Sequence, residues 1–209
     1  MYKAIVFDLD GTLLDTTSGV IYAVEYTINE LKLSLLPEEV LKTFVGPPMQ
    51  LSFEKHYGMD KEQALTSANL FRKNYKEQSL LKAELYPYVL ELLQYLREKG
   101  YKIAVATNKS HDNAREILKH FGISKYCDFM MGSDLAGKLK KADIIKKCLQ
   151  EISVDVKAAV YIGDSIFDFE GAANVGMDFI GVTYGFGFKP NEQYSFETVD
   201  ALIQVKNIL

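Results

Sequence analysis

An α/β fold with a mainly parallel sheet, interrupted early by an all-helical insertion, is what this chain of 209 residues predicts. Three observations carry that reading. From Tyr86 onward, short apolar runs alternate with amphipathic stretches, the pattern of successive βαβ units. Between Thr17 and Lys82 the apolar residues recur at helical spacing and no strand signal is found. Ahead of both stands Ala4-Ile-Val-Phe7, an apolar run followed by turn residues, which reads as a buried first strand. The sheet-forming domain, residues 1–16 and 83–209, is therefore split by a helical domain over 17–82.

Each element has its own warrant. The first strand is apolar at every position, as a strand covered on both faces requires. Behind Thr16, Thr17 and Ser18, residues suited to N-capping, Val20, Ile21, Val24, Ile28 and Leu31 mark a helix. Pro37 opens another. Gly46-Pro47-Pro48 breaks the pattern, since proline disfavours helix at itself and at the residue before it. Helices over 49–57 and 61–79 complete the insertion. Residues 87–99 form an amphipathic helix closed by Gly100, and 102–107 a buried strand. A helix over 110–120 closes at Gly122, a short strand covers 129–132, and a helix covers 142–152. The strand over 158–162 runs into Gly163-Asp164, and the helix over 167–175 ends at Gly176. A strand over 179–183 follows, and the tail, 196–208, reads as a last helix with Val199, Leu202, Ile203 and Val205 on its apolar face.

Composition narrows the function classes. A net charge of −4 offers no general attraction to nucleic acid or to an anionic membrane. Lys138, Lys140, Lys141, Lys146 and Lys147 do cluster, mostly as a solvated face. The two cysteines, Cys127 and Cys148, sit in apolar surroundings without metal-ligand spacing and read as buried free thiols. No apolar run approaches the ~20 residues needed to span a bilayer. The chain opens on its first strand, so no signal peptide and a cytoplasmic location are expected. A monomer and a homodimer are both compatible with the sequence.

The chemistry gathers where strands end. Asp8 and Asp10 follow the first strand and share a side at the two-residue period. Such a pair repels itself and needs a cation or a shared proton. Thr107-Asn108 ends the second long strand; Asp164 ends the third, with Asp168 four residues on. In an open parallel sheet, ligands bind outside the carboxyl ends of the strands, so all three clusters fall on one edge. Residues 138–141 can send an ammonium toward them. Hard oxygen ligands of this kind suit Mg²⁺, which commonly shares its shell with substrate phosphate. The histidines, His56, His111 and His120, lie in helical stretches and read as surface residues.

These residues resemble the motifs of the haloacid dehalogenase superfamily over essentially the whole chain. Asp8-Leu-Asp-Gly-Thr12 matches its first motif, Thr107 with Asn108 its second, and Gly163-Asp-Ser-Ile-Phe-Asp168 its fourth. The third requires a lysine, for which Lys141 is the best placed and Lys138 and Lys140 stay open, because the usual Lys-Pro is absent. The resemblance implies a Rossmann-like core, and the insertion looks like the small α-helical cap of the phosphoglycolate phosphatase and β-phosphoglucomutase branch.

The resemblance also implies roles. Asp8 is the expected nucleophile, and Asp10 the acid and base for the leaving alcohol and the incoming water. Mg²⁺ is expected on Asp8, the main-chain carbonyl of Asp10, and Asp164, with Asp168 orienting a neighbouring group. Thr107, Asn108 and Lys141 are expected to bind phosphate, and Gly46 and Pro47 to form a loop toward the substrate or a plain helix connection. Asp10 speaks against dehalogenation, since a halide leaves without a proton. The expected activity is hydrolysis of a small phosphorylated metabolite, phosphoglycolate-like or a 5′-nucleotide, with no nucleic-acid or membrane partner. A phosphomutase is the runner-up, though Pro47-Pro48-Met49 stands where mutases tend to carry a basic residue. A pyrophosphatase or a phosphate-binding protein without activity would use the same residues.

Overall fold

The computed structural model describes residues 2–134 and 138–209. The chain forms two compact units: Met1–Asp15 with Leu85–Leu209, and Thr16–Glu84. In chain order, β1 (Ala4–Phe7) and the two-residue β2 (Leu14–Asp15) lead into four helices. These are α1 (Thr17–Glu30), α2 (Glu38–Leu41), α3 (Met49–Tyr57) and α4 (Lys61–Asn74). A short strand β3 (Glu84–Leu85) pairs with β2. The alternating part then runs α5 (Val89–Glu98), β4 (Lys102–Ser110), α6 (His111–His120), β5 (Phe129–Ser133) and α7 (Lys141–Glu151). It ends with β6 (Ala159–Gly163), α8 (Ile166–Val175), β7 (Asp178–Val182) and β8 (Glu197–Val199).

The main sheet has the order β5-β4-β1-β6-β7-β8, with every pairing parallel. β1 is buried at all four positions, as its unbroken apolar run demands, and lies between β4 and β6. Its register sets Phe7 beside Val105 on one side and Ile162 on the other. The next residue of β1 therefore emerges between the ends of its two neighbours. Against one face, Ile144, Ile145 and Cys148 of α7 pack with Val6, Ala104, Tyr161 and Phe179. Each such aliphatic side chain contributes on the order of 1.5–3 kcal/mol by leaving water. Both cysteines are free, Cys148 buried and Cys127 half-buried, and burial pushes each thiol up to about 12.

The helical unit is closed by local chemistry. Asp60 accepts from the main-chain N–H groups of Glu62 and Gln63, and Gln63 returns the bond, fixing the start of α4. A π-turn, Tyr75–Ser79, extends α4, and the Ser79 hydroxyl donates to the Gly19 carbonyl of α1 at 2.8 Å. Among the described residues no helix is long and apolar enough to cross a membrane.

The tail departs from expectation. Residues 196–208 are not one helix: β8 adds to the sheet beside β7, and only Leu202–Asn207 coils, as a 3₁₀ turn. Phe196 explains the difference. Its ring packs 4.6 Å from Phe169 and 4.8 Å from Phe179, which pulls the chain onto the open edge of β7. There Thr198 and Val199, stiff β-branched residues, suit a strand. Val199, Leu202 and Val205 are buried in this arrangement too, so the apolar pattern alone did not separate the two outcomes.

Candidate active site

Three adjacent strands, β4, β1 and β6, deliver their last residues side by side. Asp8 follows β1, and its N–H donates to the Ile162 carbonyl at 2.9 Å. Asp164 follows β6, and Thr107 lies near the end of β4. All three are almost fully buried.

The centre of the cluster is an ammonium. Lys141 begins α7, and its Nζ lies 2.7 Å from Asp8 Oδ1 and 2.7 Å from Asp168 Oδ1. It also donates to the Tyr161 hydroxyl at 3.1 Å, and that hydroxyl donates onward to the Ala106 carbonyl at 2.6 Å. Burial alone would lower the lysine; the charges of Asp168 and Asp8 outweigh it and hold the ammonium above its ordinary range. Asp168 is fixed from its other side, Oδ2 accepting from the Ser165 hydroxyl at 2.6 Å and the Ser165 N–H at 3.1 Å. Lys138 and Lys140 are exposed.

Oxygens of Asp8, Asp164 and Asp168 lie within 4.8 Å of one another. Burial, and then the Asp168 charge, push the Asp8 carboxyl up to about 7 although Lys141 pulls it down. Burial, Asp168 and Asp8 likewise raise Asp164 well above the carboxylate range. Three carboxylates against one ammonium leave two negative charges when all are ionised. An all-oxygen donor set with that excess fits a hard divalent cation. Asp168 already has both oxygens engaged, so Asp8 and Asp164 offer the free positions.

Asp10 is held differently. Its carboxylate oxygens lie 2.9 and 3.2 Å from Nζ of Lys109, and both side chains are largely buried. Lys109 belongs to an irregular end of β4: pairing with β5 stops after Ala106 and resumes at Ser110. In that interval the Lys109 N–H donates to the Thr107 hydroxyl at 3.2 Å, and Asn108 is half-buried. Bulged strand ends of this kind re-aim side chains near sites.

Close backbone approach shapes the rest. The Phe186 N–H donates to Asp164 Oδ2 at 2.7 Å, and the Tyr184 hydroxyl donates to the Thr12 carbonyl at 2.7 Å. Gly11, at φ +83°, lies so close to Asp164 that any Cβ would overlap its carboxylate. In α8, Gly171 lets the stem of Lys141 pass: an added Cβ would overlap Lys141 Cγ and stand 2.9 Å from its Cβ. Alanine in place of a helical glycine ordinarily stabilises by roughly 1 kcal/mol. Here the contact reverses the sign. Gly171→Ala is expected to lower the melting temperature and to cut kcat/KM at least about tenfold by displacing the ammonium. A variant with raised stability and full activity would show that Lys141 has room to move.

The structure thus gathers Asp8, Lys141, Asp164 and Asp168, and sets Thr107 and Asp10 at the neighbouring strand ends. Gly46 and Pro47 lie in the helical unit, in the loop before α3, with Gly46 exposed at φ +100°. Reading the sequence did not single out Lys109, Tyr161 or Ser165. A tyrosine inside the apolar run Ala-Val-Tyr-Ile was the available signal for one of them.

The chain is similar to known proteins along most of its length. Residues 5–182 match the family model of haloacid dehalogenase-like hydrolases. A 5′-nucleotidase of Pseudomonas aeruginosa is 33% identical over 187 residues, covering 89% of this chain and 85% of its own. A phosphoglycolate phosphatase of Aquifex aeolicus is 32% identical over 176 residues, covering 83% and 81%. A crystal structure of a predicted phosphatase from Clostridium acetobutylicum, 33% identical, superposes with a TM-score of 0.93 over 100% of this chain and 98% of that one.

Proposed function

The chain belongs to the haloacid dehalogenase-like hydrolases, and from that premise we propose that it is a Mg²⁺-dependent phosphomonoesterase working through an aspartyl phosphate on Asp8. The observation that carries this reading is the buried group of Asp8, Asp164 and Asp168 around the Lys141 ammonium. A nucleophilic carboxylate must meet a phosphate dianion. Only a site rich in positive charge permits that approach. Mg²⁺ held by Asp8 and Asp164, with the main-chain carbonyl of Asp10, would neutralise charge between nucleophile and phosphate.

The chain's own groups divide the remaining work. Asp8 Oδ attacks phosphorus as the bond to the leaving oxygen breaks, and Asp10 gives that oxygen its proton. Asp10 then takes a proton from the water that attacks the aspartyl phosphate, which releases inorganic phosphate and restores Asp8. Thr107 and Asn108 bind the phosphoryl oxygens, while Lys141 offsets the charge shared by Asp8 and the phosphate. Asp168, Tyr161 and Ser165 hold Lys141 in place.

The substrate class is a small phosphorylated metabolite, a 5′-nucleotide or a phosphoglycolate-like ester, as the names of the two relatives suggest. A panel of nucleoside monophosphates, phosphoglycolate, hexose phosphates and pyrophosphate, assayed with Mg²⁺, tests it. Release of inorganic phosphate from one ester, lost in excess EDTA and restored by Mg²⁺, is the expected result. Full turnover in EDTA, or rescue by Zn²⁺ alone, would refute the metal assignment; dependence on a sugar bisphosphate would point to a mutase.

A further inference from the structure

We infer that Lys109 is a positioning residue for the acid–base group Asp10, a role that rests on the phosphatase reading above. A single ammonium lies within 3.2 Å of both carboxylate oxygens, so it restricts the rotation of the Asp10 side chain. The pair is not a surface ornament. The two side chains are 7% and 15% exposed, and an ion pair screened from water is held far more firmly than one in solvent.

The place of Lys109 in the chain gives the contact its meaning. Ninety-nine residues separate the partners, yet Lys109 stands two residues beyond Thr107, and its own N–H donates to the Thr107 hydroxyl. The register of β4 against β5 shifts between Ala106 and Ser110, and Lys109 lies within that irregularity. One strand end thus supplies the hydroxyl expected to hold the phosphoryl group and the ammonium that holds the acid. Asp10 is tied to the frame that fixes the substrate's phosphorus, and the distance between proton donor and leaving oxygen is set by one short segment.

A positioning role has a signature that a merely structural one lacks. An alkyl leaving group needs a proton as its bond to phosphorus breaks, whereas p-nitrophenolate leaves without one. The quantity kcat/KM reports steps through release of that leaving group, so hydrolysis of the aspartyl phosphate does not enter it. Lys109→Met is expected to lower kcat/KM for the best alkyl ester of the panel by about 10- to 100-fold. For p-nitrophenyl phosphate the loss should stay within about threefold. Lys109→Arg keeps a cation in reach and should recover much of the alkyl activity. In an Asp10→Asn background, Lys109→Met should cost little more, because the group it positions is already gone.

That double variant also removes both charges of the pair, so it can be measured even if Lys109→Met alone fails to fold. Equal losses on both esters, with no recovery in Lys109→Arg, would overturn the inference, as would a full further loss in the Asp10→Asn background. Either result leaves phosphatase activity in the unaltered chain and refutes Lys109 alone. Hydrolysis of neither ester by the unaltered chain would instead remove the phosphatase reading, and this inference with it.

Discussion

Asp8→Asn is expected to reduce phosphatase activity by roughly 10⁴-fold or more, the scale of losing a covalent nucleophile, while the protein folds as before. The amide cannot form the acyl phosphate. Asp164 and Asp168 come from the adjoining strand and its helix, and Asp168 has both oxygens occupied by Lys141 and Ser165. Mass spectrometry of the unaltered protein, quenched during turnover, should show a phosphate increment on a peptide containing Asp8. Retained turnover in a verified Asp8→Asn protein would overturn the covalent mechanism.

The same substitution should stabilise the metal-free protein. In the fold the Asp8 carboxyl is pushed up to about 7 from an ordinary 3.8, chiefly by burial and the Asp168 charge. The folded state therefore binds this proton more tightly than the unfolded chain. Its contribution is fully present below about 4 and is lost as pH rises toward 7. Asn carries no such penalty, and Lys141 keeps Asp168 at 2.7 Å, so no ammonium is stranded. In EDTA at pH 7.5 the variant should melt a few degrees higher than the unaltered chain, and the two curves should converge near pH 4. Melting points that stay equal across that range would show that Asp8 is not held uncomfortably in the fold.

Much of this site was legible because its geometry follows from strands. Asp8, Thr107 and Asp164 each terminate an apolar run, and parallel strands deliver their ends to one edge whatever the details between. The helical insertion was equally plain from Val20, Val24 and Ile28 at helical spacing. What the sequence does not show depends on contacts across long separations. Nothing in Thr107-Asn108-Lys109 announces that its lysine reaches a carboxylate ninety-nine residues away. Tyr161 looks like one more core residue until the partners of its hydroxyl are known. The tail differs from expectation for a related reason: period alone does not separate a short edge strand followed by a 3₁₀ turn from a helix. The packing of Phe196 on Phe169 and Phe179 decides it.

Lys141→Ala is expected to cut kcat/KM by about 10²- to 10³-fold, the loss typical of removing one charge-stabilising donor from a dry site. Lys138→Ala and Lys140→Ala should stay within about twofold, since both residues are exposed. The three lysines are near neighbours in sequence, so the contrast tests placement and not local charge. Lys141 alone begins α7 in a phase that sends its stem past Gly171 and its ammonium to Asp8 and Asp168. Its removal also strands carboxylates in a buried pocket, and breaking such an arrangement costs roughly 3–5 kcal/mol. For a chain of this size that corresponds to a fall of about 6–20 °C in melting temperature. Added Mg²⁺ should restore part of the stability by neutralising Asp8 and Asp164, but not the activity, because the charge opposite the phosphate is still missing. Recovery of both together would reduce Lys141 to a stabilising residue. A crippled Lys138→Ala or Lys140→Ala protein beside an active Lys141→Ala would move the essential ammonium to a different residue.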